Sequence, residues 1–175
     1  MIKKIALGVV VVIAALLLFA ATRPGSLHVE RTASIKAPPE RIVSLINDFH
    51  RWGGWSPYEK IDPAMKRTFS GAAEGTGAVY EWQGNSNVGA GRMEITDTQP
   101  SRVTIKLDFT APLEGHNIAA FVLVPQGDTT NVTWTMDGPT PYIGKLIGLF
   151  MNMDTMIGGA FDEGLANLKA IAEKS

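Results

Sequence analysis

Hydrophobic positions along this chain follow three rhythms in turn: an unbroken run, a strict alternation, and a helical repeat. The run is Ile5–Ala21, 17 consecutive apolar residues preceded by Lys3 and Lys4. As a helix it is roughly 26 Å long, close to the minimum for a ~30 Å hydrocarbon core. A cleaved secretory signal has a shorter apolar region and a small residue three places before the cut. Here a cut after Ala21 would put Phe19 at that place. The segment is therefore read as an uncleaved membrane anchor, with a cleaved signal and a free periplasmic protein as the alternative. Lysines before the run keep the N-terminus cytoplasmic, which puts the rest of the chain outside the cytoplasm. Arg23-Pro24-Gly25-Ser26 reads as the linker. The chain divides into an anchor with linker at 1–26 and one domain at 27–175.

Alternation begins at Leu27. Val29, Arg31, Ala33 and Ile35 share one face of a strand, and His28, Glu30, Thr32 and Ser34 the other. Ala37-Pro38-Pro39-Glu40 stops that strand and opens a helix, since Pro is tolerated in a first turn and Glu suits the dipole there. Ile42, Val43, Leu45, Ile46 and Phe49 give this helix its apolar stripe. Trp52, Trp55 and Tyr58 follow in a loop, where they either plug one end of the core or face a partner. Six further strand-like runs succeed one another, separated by turn signals: Met65–Ser70, Ala78–Gln83, Val88–Thr98, Arg102–Phe109, His116–Val124 and Asn131–Asp137. Strict period-2 alternation marks an antiparallel sheet, wet on one face and packed on the other.

Gly138-Pro139-Thr140-Pro141 breaks this rhythm, and a helical period runs from Tyr142 to Glu173. It predicts one helix of nearly 48 Å, kinked near Gly158-Gly159. Strand, short helices, six antiparallel strands and a terminal helix make an α+β fold. A twisted seven-stranded sheet curls, and a rod ~10 Å across does not fill the trough. What remains is either solid core or a cavity. The expected lining from the sheet is Tyr80, Trp82, Met93, Ile105, Leu107, Phe109, Asn117, Phe121, Trp134 and Met136. The helix adds Phe150, Met153, Met156, Ile157 and Phe161. Met side chains are flexible and polarizable and adapt to varied apolar guests.

Composition narrows the chemistry. The chain has no cysteine, which removes disulfides, thiolate metal sites and cysteine nucleophiles. Residues 27–175 carry 13 basic and 17 acidic side chains, a net of −4, a poor match for nucleic acid. His28, His50 and His116 sit on different elements without metal-ligand spacing, so neither a metal nor a cofactor is expected. Gly71–Gly77 lacks the lysine of a phosphate loop and precedes a strand rather than a helix. The polar candidates are Asn117, on the face of Phe121, and Asp154, on the stripe of Phe150 and Ile157. If Asp154 faces a cavity, burial would raise its pKa and make it a proton donor or ligand anchor.

The Val29–Lys36 strand running into Ala37-Pro38-Pro39-Glu40, the Trp52…Trp55-Ser56-Pro57 segment, the meander and the glycine-punctuated last helix resemble the SRPBCC (helix-grip) superfamily. That group includes START lipid-transfer domains, the birch-pollen allergen group and polyketide cyclase/dehydrase-like proteins. The resemblance covers residues 27–175 and is closest to bacterial members with one transmembrane segment. It implies a curved seven-stranded sheet gripping the C-terminal helix and a hydrophobic cavity between them. The leading expectation is a membrane-anchored extracytoplasmic protein that binds a small hydrophobic molecule or lipid. One rival is a cyclase- or dehydratase-like enzyme using Asp154 and Asn117. The other is a module that contacts an envelope protein through its sheet edge or the Trp52/Trp55 loop.

Overall fold

The computed structural model describes residues 2–174. Helix α1 (Ile2–Ala21) is the apolar run, and of its residues only Ala20 is buried. Among the described residues it is the one helix long and apolar enough to cross a membrane, a property that anchors share with signal sequences. Strand β1 (Ser26–Ile35) follows, then α2 (Pro39–Ile46), a 3₁₀ turn at Phe49–Gly54 and the single-turn α3 (Tyr58–Ile61). The meander comprises β2 (Lys66–Gly71), β3 (Ala78–Gln83), β4 (Ala90–Gln99), β5 (Arg102–Ala111), β6 (Gly115–Gln126) and β7 (Thr129–Pro139). Two helices close the chain, α4 (Tyr142–Ile147) and α5 (Met153–Ala172).

All seven strands form one antiparallel sheet in the order β1-β7-β6-β5-β4-β3-β2, so the first strand joins beside the last. The side-chain period of 2 puts Val29, Ile95, Ile105, Phe121, Val132 and Trp134 on one concave face, all buried. Helix α5 packs chiefly on β1. It presents Gly158, Phe161, Leu165, Leu168 and Ala172 at helical spacing. Two of its glycines are there for closeness. A Cβ on Gly164 would stand 2.8 Å from the Trp134 ring, and one on Gly158 would collide with the Arg31 guanidinium. Gly159 has open space around it, and α5 continues through it without interruption.

The single long helix from Tyr142 is corrected. It breaks at Gly148–Asn152, where the Asn152 side chain accepts a hydrogen bond from the Thr155 N–H (3.0 Å) and starts a new helix. Asp154 falls in the first turn, where a carboxylate suits the dipole. Helix α4 turns away from the sheet and packs against α1, with the Tyr142 hydroxyl donating to the Leu17 carbonyl (2.7 Å).

The loop tryptophans plug the core. Trp52 and Trp55 are buried, and their indole N–H groups donate to the carbonyls of Ile46 (2.9 Å) and Leu45 (3.2 Å). With Trp55 wholly enclosed, the expectation that this loop offers an apolar docking patch is set aside.

Candidate binding groove

The centre of the trough is filled. Trp134 stacks on Phe161 with centroids 4.0 Å apart and on Phe121 at 4.8 Å, and Trp55 meets Phe121 and Trp134 edge-on. Phe121, Trp134 and Phe161 are thus packed into one another and form a floor. The Trp134 indole N–H has no hydrogen-bond partner and is the one buried side-chain polar atom in that condition among the described residues. Such a group costs about 1–3 kcal/mol unless something pairs with it.

Burial falls off toward the end of the trough where β3, β4 and β5 meet. Met93, Leu107 and Met136 are buried, and Trp82, Phe109, Met153 and Ile157 are half-buried. Trp82 donates from its indole N–H to the Val88 carbonyl (3.2 Å) and meets Phe109 edge-on at 5.7 Å. Gly91 makes this possible, because the Trp82 ring occupies the space a Cβ would need. Asn117 lies opposite Leu107 in register and is half-buried, with its Oδ1 over the bare Cα of Gly138. Its amide makes no side-chain hydrogen bond among the described residues, which leaves it available at the rim. These side chains make an incompletely covered apolar stretch of the concave face with one amide beside it.

Tyr80 is on this face, but its hydroxyl is already used. It donates to Glu59 Oε1 (2.6 Å), while Arg67 Nε donates to Glu59 Oε2 (2.7 Å). Burial first, then the bond to and charge of Glu59, raises the Tyr80 phenol well above its ordinary value. Burial alone pushes Tyr58 up to about 12. An unfolded phenol titrates near ~10, so above that pH the unfolded chain releases protons the fold retains. The contribution of these two phenols should therefore be level below pH ~10 and turn against the fold between about 10 and 12. Urea midpoints across that range should fall less steeply in Tyr80→Phe than in the parent chain.

Asp154 is corrected as a cavity acid. Its side chain is 57% exposed and held bidentately by Arg31, at 3.1 Å from Nη1 and 3.0 Å from Nη2. Arg31 also donates to the backbone carbonyl of Asp154 (3.1 Å) and lies 3.3 Å from Asp162. The guanidinium holds the Asp154 carboxyl below its ordinary value, the opposite of a buried proton donor. Neither Asp154 nor Asn117 hydrogen bonds to the other, so the expected catalytic pair is not assembled. Arg31 is the residue that sequence reasoning passed over. Its signal was a cation on the apolar face of β1, level with Trp134 across the ladder.

Phe150 is also corrected as lining. It lies in the α4–α5 link and is 78% exposed, because the helix break carries it off the stripe. Met156 is exposed on the outer side of α5. A hollow of about 360 Å³ lies at the link itself, lined by residues from Gly148 to Met153. A second, of about 240 Å³, lies between Ala37–Pro39 and the β6–β7 turn.

A curved seven-stranded antiparallel sheet closed on a C-terminal helix defines an SRPBCC-type protein. The chain belongs to the family described as polyketide cyclase / dehydrase and lipid transport, whose model matches residues 26–173. No curated protein matches it in sequence. Among solved structures it is similar to the di-domain ARO/CYC protein BexL of the BE-7585A biosynthetic pathway (TM-score 0.67, 13% identity). That likeness covers 90% of this chain and 54% of BexL. It is also similar to protein CV1439 from Chromobacterium violaceum (TM-score 0.59, 17% identity), covering 87% of this chain and 100% of the other. A third likeness is to KanY (TM-score 0.59, 19% identity), covering 86% and 100%. At these identities the likenesses establish the fold alone.

Proposed function

We propose that this protein is a membrane-anchored binding protein for a small apolar molecule or a lipid acyl chain, held at the open end of the trough. In this reading residues 1–26 are anchor and linker, and the folded domain stands outside the cytoplasm. The observation that carries it is the gradient of burial on the concave face. Buried Met93, Leu107 and Met136 give way to half-buried Trp82, Phe109, Met153 and Ile157, with half-buried Asn117 opposite Leu107. Each Å² of that surface covered by an apolar guest contributes about 25 cal/mol. The amide of Asn117 then orients any polar end the guest carries.

The test uses the full chain in phosphatidylcholine vesicles, titrated with a polyene fatty acid. Energy transfer from tryptophan reports the probe. A saturable component, above the linear partition into lipid, is expected. Phe109→Asp should weaken it at least about tenfold, because a carboxylate is costly to cover with an acyl chain. Linear partition alone, or a saturable component indifferent to Phe109→Asp, would overturn the proposal.

A further inference from the structure

The segment from α4 to the start of α5 is apolar and uncovered. Ile143, Phe150, Met151 and Met156 are all exposed, and Tyr142 with them. Exposed apolar residues scattered singly are ordinary, whereas these are gathered within 15 residues of chain. What distinguishes the cluster is its neighbour. Helix α4 packs against α1, and the Tyr142 hydroxyl donates to the Leu17 carbonyl. Leu17 is four residues before the end of α1, so this contact lies roughly 6 Å below the end of the apolar rod. That is the depth of the boundary between headgroups and acyl chains, where amphipathic helices and tyrosine side chains settle. Lys145 projects toward Gly25 in the linker just beyond α1. A lysine at that level suits the phosphate layer.

We propose that α4 and the α4–α5 link are seated in the interfacial layer of the bilayer that α1 crosses, with Phe150 and Met151 inserted among the lipids. The inference rests on the reading of α1 as an anchor. It identifies what covers the exposed apolar side chains: the membrane surface itself. Met153, which follows the link directly, is half-buried at the start of α5, and in this reading the open end of the trough adjoins the lipid. A guest then passes between bilayer and groove with little exposure to water.

The absence of native cysteine makes the test clean. Single cysteines are placed by Phe150→Cys, Ile13→Cys and Asp128→Cys in the full chain and labelled with an environment-sensitive fluorophore. Each is reconstituted in phosphatidylcholine/phosphatidylglycerol vesicles. Asp128 is in the β6–β7 turn, separated from α4 by the length of β7, roughly 33 Å. Nitroxide-bearing lipids should quench positions 13 and 150 several-fold and leave 128 unchanged. Aqueous iodide should quench 128 and spare the other two. Quenching by lipid at 13 with 150 open to iodide overturns the interfacial seat and leaves the anchor standing. A label at 150 shielded from both quenchers also overturns it, since protein then covers the site. Lipid quenching at 150 without quenching at 13 overturns the anchor and, with it, a seat in the bilayer that α1 crosses. Iodide access at both overturns both.

Discussion

Trp55→Ala is expected to destabilise the folded domain by about 3–5 kcal/mol, the range for emptying a large aromatic site in a close-packed core. The side chain is 0% exposed and lies among Trp52, Phe121 and Trp134, with ring centroids 4.7, 6.0 and 5.7 Å away. Truncation removes that packing and also strips the Leu45 carbonyl of its indole donor. The neighbours cannot collapse into the gap cheaply. Trp52 is fixed by its own bond to Ile46, and Trp134 is clamped between Phe121 and Phe161. A thermal melt followed by near-ultraviolet circular dichroism should show a midpoint lower by roughly 6–20 °C, at ~2–4 °C per kcal/mol for a domain this size. A loss under about 1 kcal/mol would mean that the aromatic cluster is dispensable to the core.

Gly91→Ala should have the second-largest effect, a loss of about 1–3 kcal/mol from overpacking. The added methyl would stand 2.5 Å from two ring carbons of Trp82 and 2.5 Å from the Asp108 carbonyl oxygen. The carbonyl belongs to the β4–β5 ladder and cannot retreat without breaking register, so the indole must move. Moving it severs the bond to the Val88 carbonyl and tilts the ring away from Phe109. Two readouts follow. The urea midpoint should fall, and tryptophan emission should shift to the red as Trp82 enters water. In the proposed binding function Trp82 and Phe109 form the open end of the trough, so fatty-acid binding should weaken in the same variant. A stable variant with unshifted emission would show that the ring tolerates the methyl.

Much of the sheet was written in the alternation of its residues. Val103, Ile105, Leu107 and Phe109 face one way and their neighbours the other, and β5 forms over Arg102–Ala111 as that pattern requires. The meander runs two residues past the expected break, since Gly138 and Pro139 still pair with Leu27 and Ser26 of the edge strand, and Pro141 stands at the start of α4. The break between α4 and α5 was obscured because the apolar period continues across it. Phe150 and Ile157 keep helical spacing although Phe150 is no longer on the helix. The cap signal was present all the same, as Asn152 with an acid two residues later. The filled centre of the trough was not legible. Residue type gives the size of Phe121, Trp134 and Phe161, whereas whether they stack flat depends on rotamers and on how near Gly158 and Gly164 let the helix approach. Arg31 was visible as an anomaly of pattern, and its partner Asp154 was visible too. Only the structure brings the two together, across 123 residues of chain.

The edge position of β1 has a mechanical consequence. Any pull exerted through α1 reaches the domain by way of Arg23–Gly25 and enters along the axis of β1. The ten register partners that join β1 to β7 then carry the strain side by side, in shear. Arg31 rivets the same strand to α5, and the Glu173 carboxylate grips the Lys36 N–H just past its end (2.7 Å). A pull of that kind is thereby spread over the whole ladder and the helix above it, and the strand is not peeled off one bond at a time.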